Sequence, residues 1–185
     1  EALEVGAPRQ IGRAISWFEE AAIQDPAAGE LQKRRARLEE RAVERRIPVI
    51  GFTGTGGSGK SSVLDELVRR IRLDSPTASI ALLLVDPSRR RSGGALLGDR
   101  IRMQEHAADD AVFIRSMASR GHLGGLSFTT PQAVRVLDAA GFDVVMVETV
   151  GTGQNEQEIT QITDALIVVC TGGQGDDVQA LKAGI

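Results

Sequence analysis

Gly54-Thr55-Gly56-Gly57-Ser58-Gly59-Lys60-Ser61 is the stretch on which the fold turns. An apolar run, Val49 to Thr53, leads directly into it, and a stretch of helical period, Lys60 to Leu73, leads out. The eight residues match G-x-x-x-x-G-K-[ST], and a strand before with a helix after is the context in which that match means a phosphate-binding loop. The spacing has a chemical reason. Gly54, Gly56, Gly57 and Gly59 let the backbone curl until successive N–H groups, Ser58 among them, point inward at phosphate oxygens. Lys60 adds a cation at the β and γ positions, Ser61 offers its hydroxyl to Mg2+, and Ser62 follows in the first turn of a helix whose positive end faces the anion. Lys33, Lys60 and Lys182 are the only lysines among 22 basic residues, so a Lys kept at position 60 points to a compact ammonium there.

Outward from this loop, short apolar runs alternate with helical segments, the pattern of βαβ units around a parallel sheet. The spacing predicts strands at Val49 to Thr53, Ile80 to Val85, Val112 to Ser116, Asp143 to Thr149 and Ala165 to Thr171. Ile80 to Val85 is so continuously apolar that both its faces must be covered. Lys60 to Leu73 and Pro131 to Ala140 are the clearest helices. The expected fold class is α/β: a P-loop NTPase with a mostly parallel sheet flanked by helices. Right-handed crossovers put the loops after the strands on one edge, where ligands bind in such folds. Residues 1 to 46 differ in character, with nine acidic and nine basic side chains around a sparse apolar set at helical spacing and a break at Pro26. They are expected to form an N-terminal helical extension, an appended hairpin or linker, with residues 47 to 185 as the nucleotide-binding domain.

Composition narrows the functional classes. The 185 residues carry one Cys, 42% hydrophobic and 25% charged side chains, and a formal net charge of −3. One Cys with two His supplies neither a disulfide framework nor a zinc module, and a reducing, cytoplasmic setting is the default expectation. No apolar stretch approaches the roughly 18 residues of a membrane span, so no membrane partner is expected. The one dense basic run, Lys33 to Arg46, is interleaved with Glu39, Glu40 and Glu44 and reads as a solvated helix rather than a nucleic-acid surface. The chain opens on Glu1 and closes at Ile185 inside a helical pattern, which we read as an excerpt of a longer polypeptide.

Carboxylates stand in the loops at the same edge. Asp86 ends the second strand, Asp99 follows in Gly93-Gly-Ala-Leu-Leu-Gly-Asp-Arg100, and Glu148-x-x-Gly151 ends the fourth. A carboxylate at that place is where a P-loop enzyme holds Mg2+ or its water, and Glu148-x-x-Gly151 has the form of a D-x-x-G switch with Glu for Asp, its Gly letting the backbone approach a γ-phosphate. By spacing alone, Asp86 and Asp99 could equally be a strand-end cap and a surface charge. After the last strand a glycine-rich loop, Gly172 to Asp177, leads to Gln179 and Lys182 one turn apart on a helix face, either a solvated helix or a segment that closes on nucleotide or partner. Arg100, Arg102, Arg115 and Arg120 are plentiful enough to be expected mostly at the surface, and His106 and His122 receive no role.

Taken together, these residues resemble the MeaB/ArgK family of P-loop GTPases, chaperones of adenosylcobalamin-dependent acyl-CoA mutases, and the GTPase domain of fused isobutyryl-CoA mutases. The resemblance rests on Gly51-Phe-Thr-Gly-Thr-Gly-Gly-Ser-Gly-Lys-Ser-Ser62, Val85-Asp-Pro-Ser88, Gly93 to Met103, Gly121-His-Leu-Gly-Gly125, Glu148-Thr-Val-Gly-Thr-Gly-Gln154 and Gly175 to Ile185, in family order. It implies GTP or GDP with Mg2+ as ligands, Lys60 and Ser61 on phosphate and metal, and Asp86, Asp99 and Glu148 as the acidic surround of the metal. It also implies that Gln179 and Lys182 belong to a third switch through which the mutase, separate or fused in the same chain, influences hydrolysis, and that the full-length protein is a homodimer. Two features depart from the family pattern. The N-K-x-D base motif would lie one strand past Ile185, and Ser127-Phe-Thr-Thr-Pro-Gln-Ala lacks the T-R-E ending. Three other readings compete. A nickel-delivery GTPase would need His or Cys clusters, whereas Cys170 falls inside an expected strand. A small-molecule kinase would need an acceptor pocket and lid. A nucleotide-binding docking domain of a fused mutase would hydrolyse nothing.

Overall fold

Ile80–Asp86, the strand marked most strongly by its apolar run, lies inside the sheet with both faces covered. The computed structural model describes residues 4–24, 29–44, 46–86, 103, 106, 108–118, 129–149 and 159–171. In chain order the elements are α1 (Pro8–Gln24), α2 (Gly29–Glu44), β1 (Val49–Thr53), α3 (Lys60–Asp74), β2 (Ile80–Asp86), β3 (Val112–Ala118), α4 (Thr130–Ala140), β4 (Val144–Thr149) and β5 (Ala165–Val168). The five strands form one sheet in the order β3-β2-β4-β1-β5, and every pairing is parallel. Alternation along β2 sorts its side chains: Ile80, Leu82 and Leu84 join Phe52, Leu64, Val68 and Met146 on the α3 face, while Ala81, Leu83 and Val85 face the opposite cluster.

That opposite cluster also takes in the first helices. Ile11, Ile15 and Phe18 of α1 and Leu31 and Leu38 of α2 are buried with Val136 and Leu137 of α4 and with Phe113, Met117, Val145 and Val147 of the sheet. The helices expected as an appended hairpin or linker therefore share the core of the sheet. A polar anchor reinforces the contact. Arg115 of β3, expected at the surface, is turned under α1, where it donates to the Glu19 carboxylate at 2.6 Å, to Ser16 Oγ at 2.9 Å and to the Gly12 carbonyl at 3.2 Å. Its position explains the difference: residues 113, 115 and 117 point to one side of β3, so Arg115 stands between two core residues on the face that α1 covers.

Strand starts are pinned by aspartates. Asp143, expected as the first residue of its strand, precedes β4 and accepts from both the backbone N–H and the hydroxyl of Ser79, the residue before β2. Asp164 does the same ahead of β5, accepting from the Val49 N–H at 2.8 Å and from Arg46 at 2.8 Å. The strand expected over 165–171 is shorter, ending at Val168. Its last ladder bond runs from the Val169 N–H to the Thr53 carbonyl, and β1, its neighbour, ends there as Gly54 turns away. Cys170 accordingly lies past the strand, exposed, and not within it. Among the described residues no helix is long and apolar enough to cross a membrane.

Candidate functional site

Because all strands run parallel, their C-terminal ends share one edge, and register decides which residues meet there. Phe52 of β1 is level with Glu148 of β4, which is level with Leu84 of β2. The loop leaving β1 and the carboxylate ending β4 are thereby neighbours. Within the loop, Gly54 has φ +138° and Gly57 φ +79°, conformations that L side chains rarely adopt. At Gly54 space also forbids a side chain, since a Cβ there would run into the carbonyl of Val169 at the end of β5. Gly59, at φ +89°, caps α3, and its carbonyl accepts the Val63 N–H at 2.9 Å as the first helical bond. The Ser58 N–H closes a turn onto the Thr55 carbonyl at 3.2 Å.

Lys60 opens α3 and is buried, with its Nζ donating to the Gly54 and Thr55 carbonyls at 2.8 Å each. Burial pushes its ammonium below the usual lysine value, and the Glu148 carboxylate pulls it partly back. The ammonium is thus laid along the loop whose N–H groups would receive phosphate. One residue on, Ser61 Oγ donates to Glu148 Oε1 at 2.8 Å. A hydroxyl and a carboxylate in contact are hard oxygen donors of the kind Mg2+ takes, and no group of three His, Cys, Asp or Glu forms a closed cage among the described residues. An ion there would need further oxygens from elsewhere, such as phosphate.

Of the residues singled out by sequence, the structure brings Gly54, Gly56, Gly57, Ser58, Gly59, Lys60, Ser61 and Glu148 to one loop and one strand end. Ser62 follows in α3 and is exposed. Asp86 ends β2 at this edge, two residues beyond the level of Glu148, and its side chain lies outside the described residues. Asp99, Gly151, Gln179 and Lys182 also lie outside them. Two supporting residues escaped the sequence reading. Val169 walls the loop at Gly54, and Thr149 is buried with its hydroxyl donating to the Phe52 carbonyl at 3.4 Å. Thr149 could have been suspected from its place beside Glu148, whereas nothing in the sequence marks Val169. His106 is buried, its Nε2 3.2 Å from the Asp65 carbonyl oxygen of α3.

With this geometry in place, the chain can be set beside known proteins. The family model described as Methylmalonyl Co-A mutase-associated GTPase MeaB matches residues 11–185. A protein of Pyrococcus horikoshii described as a GTPase is 51% identical over 137 residues, 74% of this chain and 43% of that one. A fused isobutyryl-CoA mutase of Geobacillus kaustophilus is 42% identical over 182 residues, 98% of this chain and 17% of its own. The crystal structure of a LAO/AO transport system kinase superposes with a TM-score of 0.56 at 27% identity, over 90% of this chain and 48% of that one. The chain spans less than half the length of each of these three.

Proposed function

The chain belongs to the MeaB family of methylmalonyl-CoA mutase-associated GTPases, and from that premise we propose that it binds GTP with Mg2+ at the Gly54–Ser61 loop, hydrolyses it, and couples hydrolysis to assembly, cofactor loading or protection of an adenosylcobalamin-dependent acyl-CoA mutase. The observation that carries this reading is the Lys60-Ser61 pair: an ammonium held along the phosphate loop beside a hydroxyl 2.8 Å from the Glu148 carboxylate.

In this mechanism the loop N–H groups hold the β- and γ-phosphates, and Lys60 turns from the Gly54 and Thr55 carbonyls to the γ-phosphate oxygens, where charge grows as water attacks in line. Ser61, Asp86, Asp99 and Glu148 are the residues that would hold Mg2+, which when bound would offset the negative charge that grows on the phosphates. Gly151 lets the backbone approach the γ-phosphate. Catalysis of this kind is mostly positioning, so turnover of the chain alone is slow and the mutase accelerates it through the segment carrying Gln179 and Lys182. We further infer a cytoplasmic setting, residues 1–46 as the family's helical extension, and a homodimer in the full-length protein. Phosphate release measured with and without saturating mutase tests the coupling: stimulation supports it, and equal rates contradict it.

A further inference from the structure

His106 is buried against α3, only 6% exposed, and no step of the nucleotide chemistry uses it. Its Nε2 lies 3.2 Å from the Asp65 carbonyl oxygen and 3.1 Å from Asp65 Oδ1. A carbonyl oxygen only accepts, so the ring carries a proton on Nε2 and donates it to α3. The carbonyl takes the hydrogen bond, and the buried Oδ1 stands beside the same N–H. Two further contacts fasten this stretch to the same helix. Met103, 1% exposed, is buried in the cluster of Leu64 and Val68, and Arg72 donates to both carboxylate oxygens of Asp109. Backbone turns join the three: the His106 N–H donates to the Met103 carbonyl at 3.2 Å, and the Asp109 N–H to the His106 carbonyl at 3.1 Å.

The order of these contacts gives the stretch a direction. α3 opens at Lys60, at the edge where the strands end, and runs back toward the edge where β3 begins at Val112. His106 meets Asp65 and Asp109 meets Arg72, two turns further along the same flank of the helix, so Met103 enters the core toward the nucleotide end. Asp65 is itself one turn, about 6 Å along the axis, from Ser61. We propose that His106 is a positioning residue for the Mg2+ site: its Nε2–H fastens the chain to the helix that carries Ser61 and so fixes the point from which Asp99 reaches the ion. The inference rests on the assignment of Asp99 to Mg2+ under the proposed function. Asp99 precedes Met103 by four residues, which span at most about 14 Å, so where that anchor sits bounds where the carboxylate can be. Met103 alone would hold the anchor loosely, because an unbranched thioether packs adaptably, whereas a hydrogen bond to one named carbonyl fixes the register.

Mg2+ titrated into the chain holding a fluorescent, non-hydrolysable GTP analogue tests this without relying on turnover. His106→Leu fills the buried site but donates nothing, and should raise the half-saturating Mg2+ concentration at least about fivefold, less than the tenfold or more that losing a partner bonded directly to a metal ligand costs. Analogue affinity in EDTA and circular dichroism should match the parent. His106→Gln places an amide N–H where Nε2 was and should restore the parent's Mg2+ dependence, whereas His106→Asn, a methylene too short, should behave as His106→Leu does. In the Asp99→Asn chain, adding His106→Leu should change the half-saturating concentration by less than about twofold, because the effect passes through that carboxylate. Parent-like Mg2+ dependence of His106→Leu or His106→Asn beside a shifted Asp99→Asn would overturn the positioning role and leave Asp99 at the metal. Independent, additive effects of His106→Leu and Asp99→Asn would overturn it too. An unshifted Asp99→Asn would overturn both the role of His106 and the assignment it rests on.

Discussion

Replacing Gly54 by Ala should disable the loop while the same replacement at Gly56, two residues away, should not. At Gly54 the backbone sits at φ +138°, and an added Cβ would lie inside van der Waals distance of the Val169 carbonyl oxygen and 3.0 Å from its carbon. Comfortable carbon contacts are about 3.5–4.0 Å, so the loop or the end of β5 must give way. Either movement strains the 2.8 Å bond from the Val169 N–H to the Thr53 carbonyl. The backbone strain is worth about 1–3 kcal/mol, and loss of the bond adds about 1 kcal/mol. Together they remove about 2–4 kcal/mol from a total stability that in native proteins is about 5–15 kcal/mol. At Gly56 φ is not positive and a Cβ would meet nothing within 4 Å, so Ala there should change stability by less than about 1 kcal/mol, with the smaller unfolded-state entropy favouring a gain. Urea denaturation of the nucleotide-free chains measures both, and titration with GDP should show at least a tenfold loss, roughly 1.4 kcal/mol or more, for Gly54→Ala. Coincident urea midpoints for the two variants would refute the reasoning.

Three further outcomes are expected. Arg115→Met leaves the Glu19 carboxylate, only 10% exposed, without its cation, and should cost about 3 kcal/mol in urea denaturation, the low end of the range for a broken buried pair because Arg115 keeps 22% exposure; adding Glu19→Gln should restore part of the loss, and an undiminished midpoint would contradict the anchor. Ser61→Ala should raise the Mg2+ concentration needed for half-maximal GTP hydrolysis by at least about tenfold while leaving the fold intact, and an unchanged Mg2+ dependence would remove Ser61 from the metal site. Arg72 hydrogen-bonds both carboxylate oxygens of Asp109, at 2.7 and 3.2 Å, and holds its pKa below the ordinary 3.8. The stabilisation is therefore complete above that ordinary value and is lost as pH falls through the depressed one, so Asp109→Asn should flatten the acid limb of the stability curve, and a parent-like slope would show that the pair contributes nothing there.

The parts of this molecule that were legible in sequence are those specified by local chemistry. The loop from Gly54 to Ser61 combines backbone freedom, a cation and a hydroxyl in one contiguous run, and β2 announces its burial by an unbroken apolar run. The contact between Ser61 and Glu148 was legible in kind, two candidate metal ligands, but not in geometry, because 87 positions separate them and only the register of β1 on β4 makes them neighbours. Arg115 was misjudged for a related reason. Arginine frequency says nothing about which face of β3 it occupies, and Glu19, Ser16 and Gly12 lie about a hundred residues earlier. Strand β5 was read three residues too long because Val169, Cys170 and Thr171 continue its residue type, while the ladder stops where its partner β1 turns into the loop.

The most direct measurement is phosphate release from GTP in the presence of Mg2+ by the parent chain and by Lys60→Ala, with circular dichroism confirming that both are folded. Hydrolysis by the parent that falls to background in the variant is the result expected if the buried ammonium along the loop is what meets the γ-phosphate. Indistinguishable rates from the two chains would contradict it and leave the loop, at most, as a place where nucleotide is held.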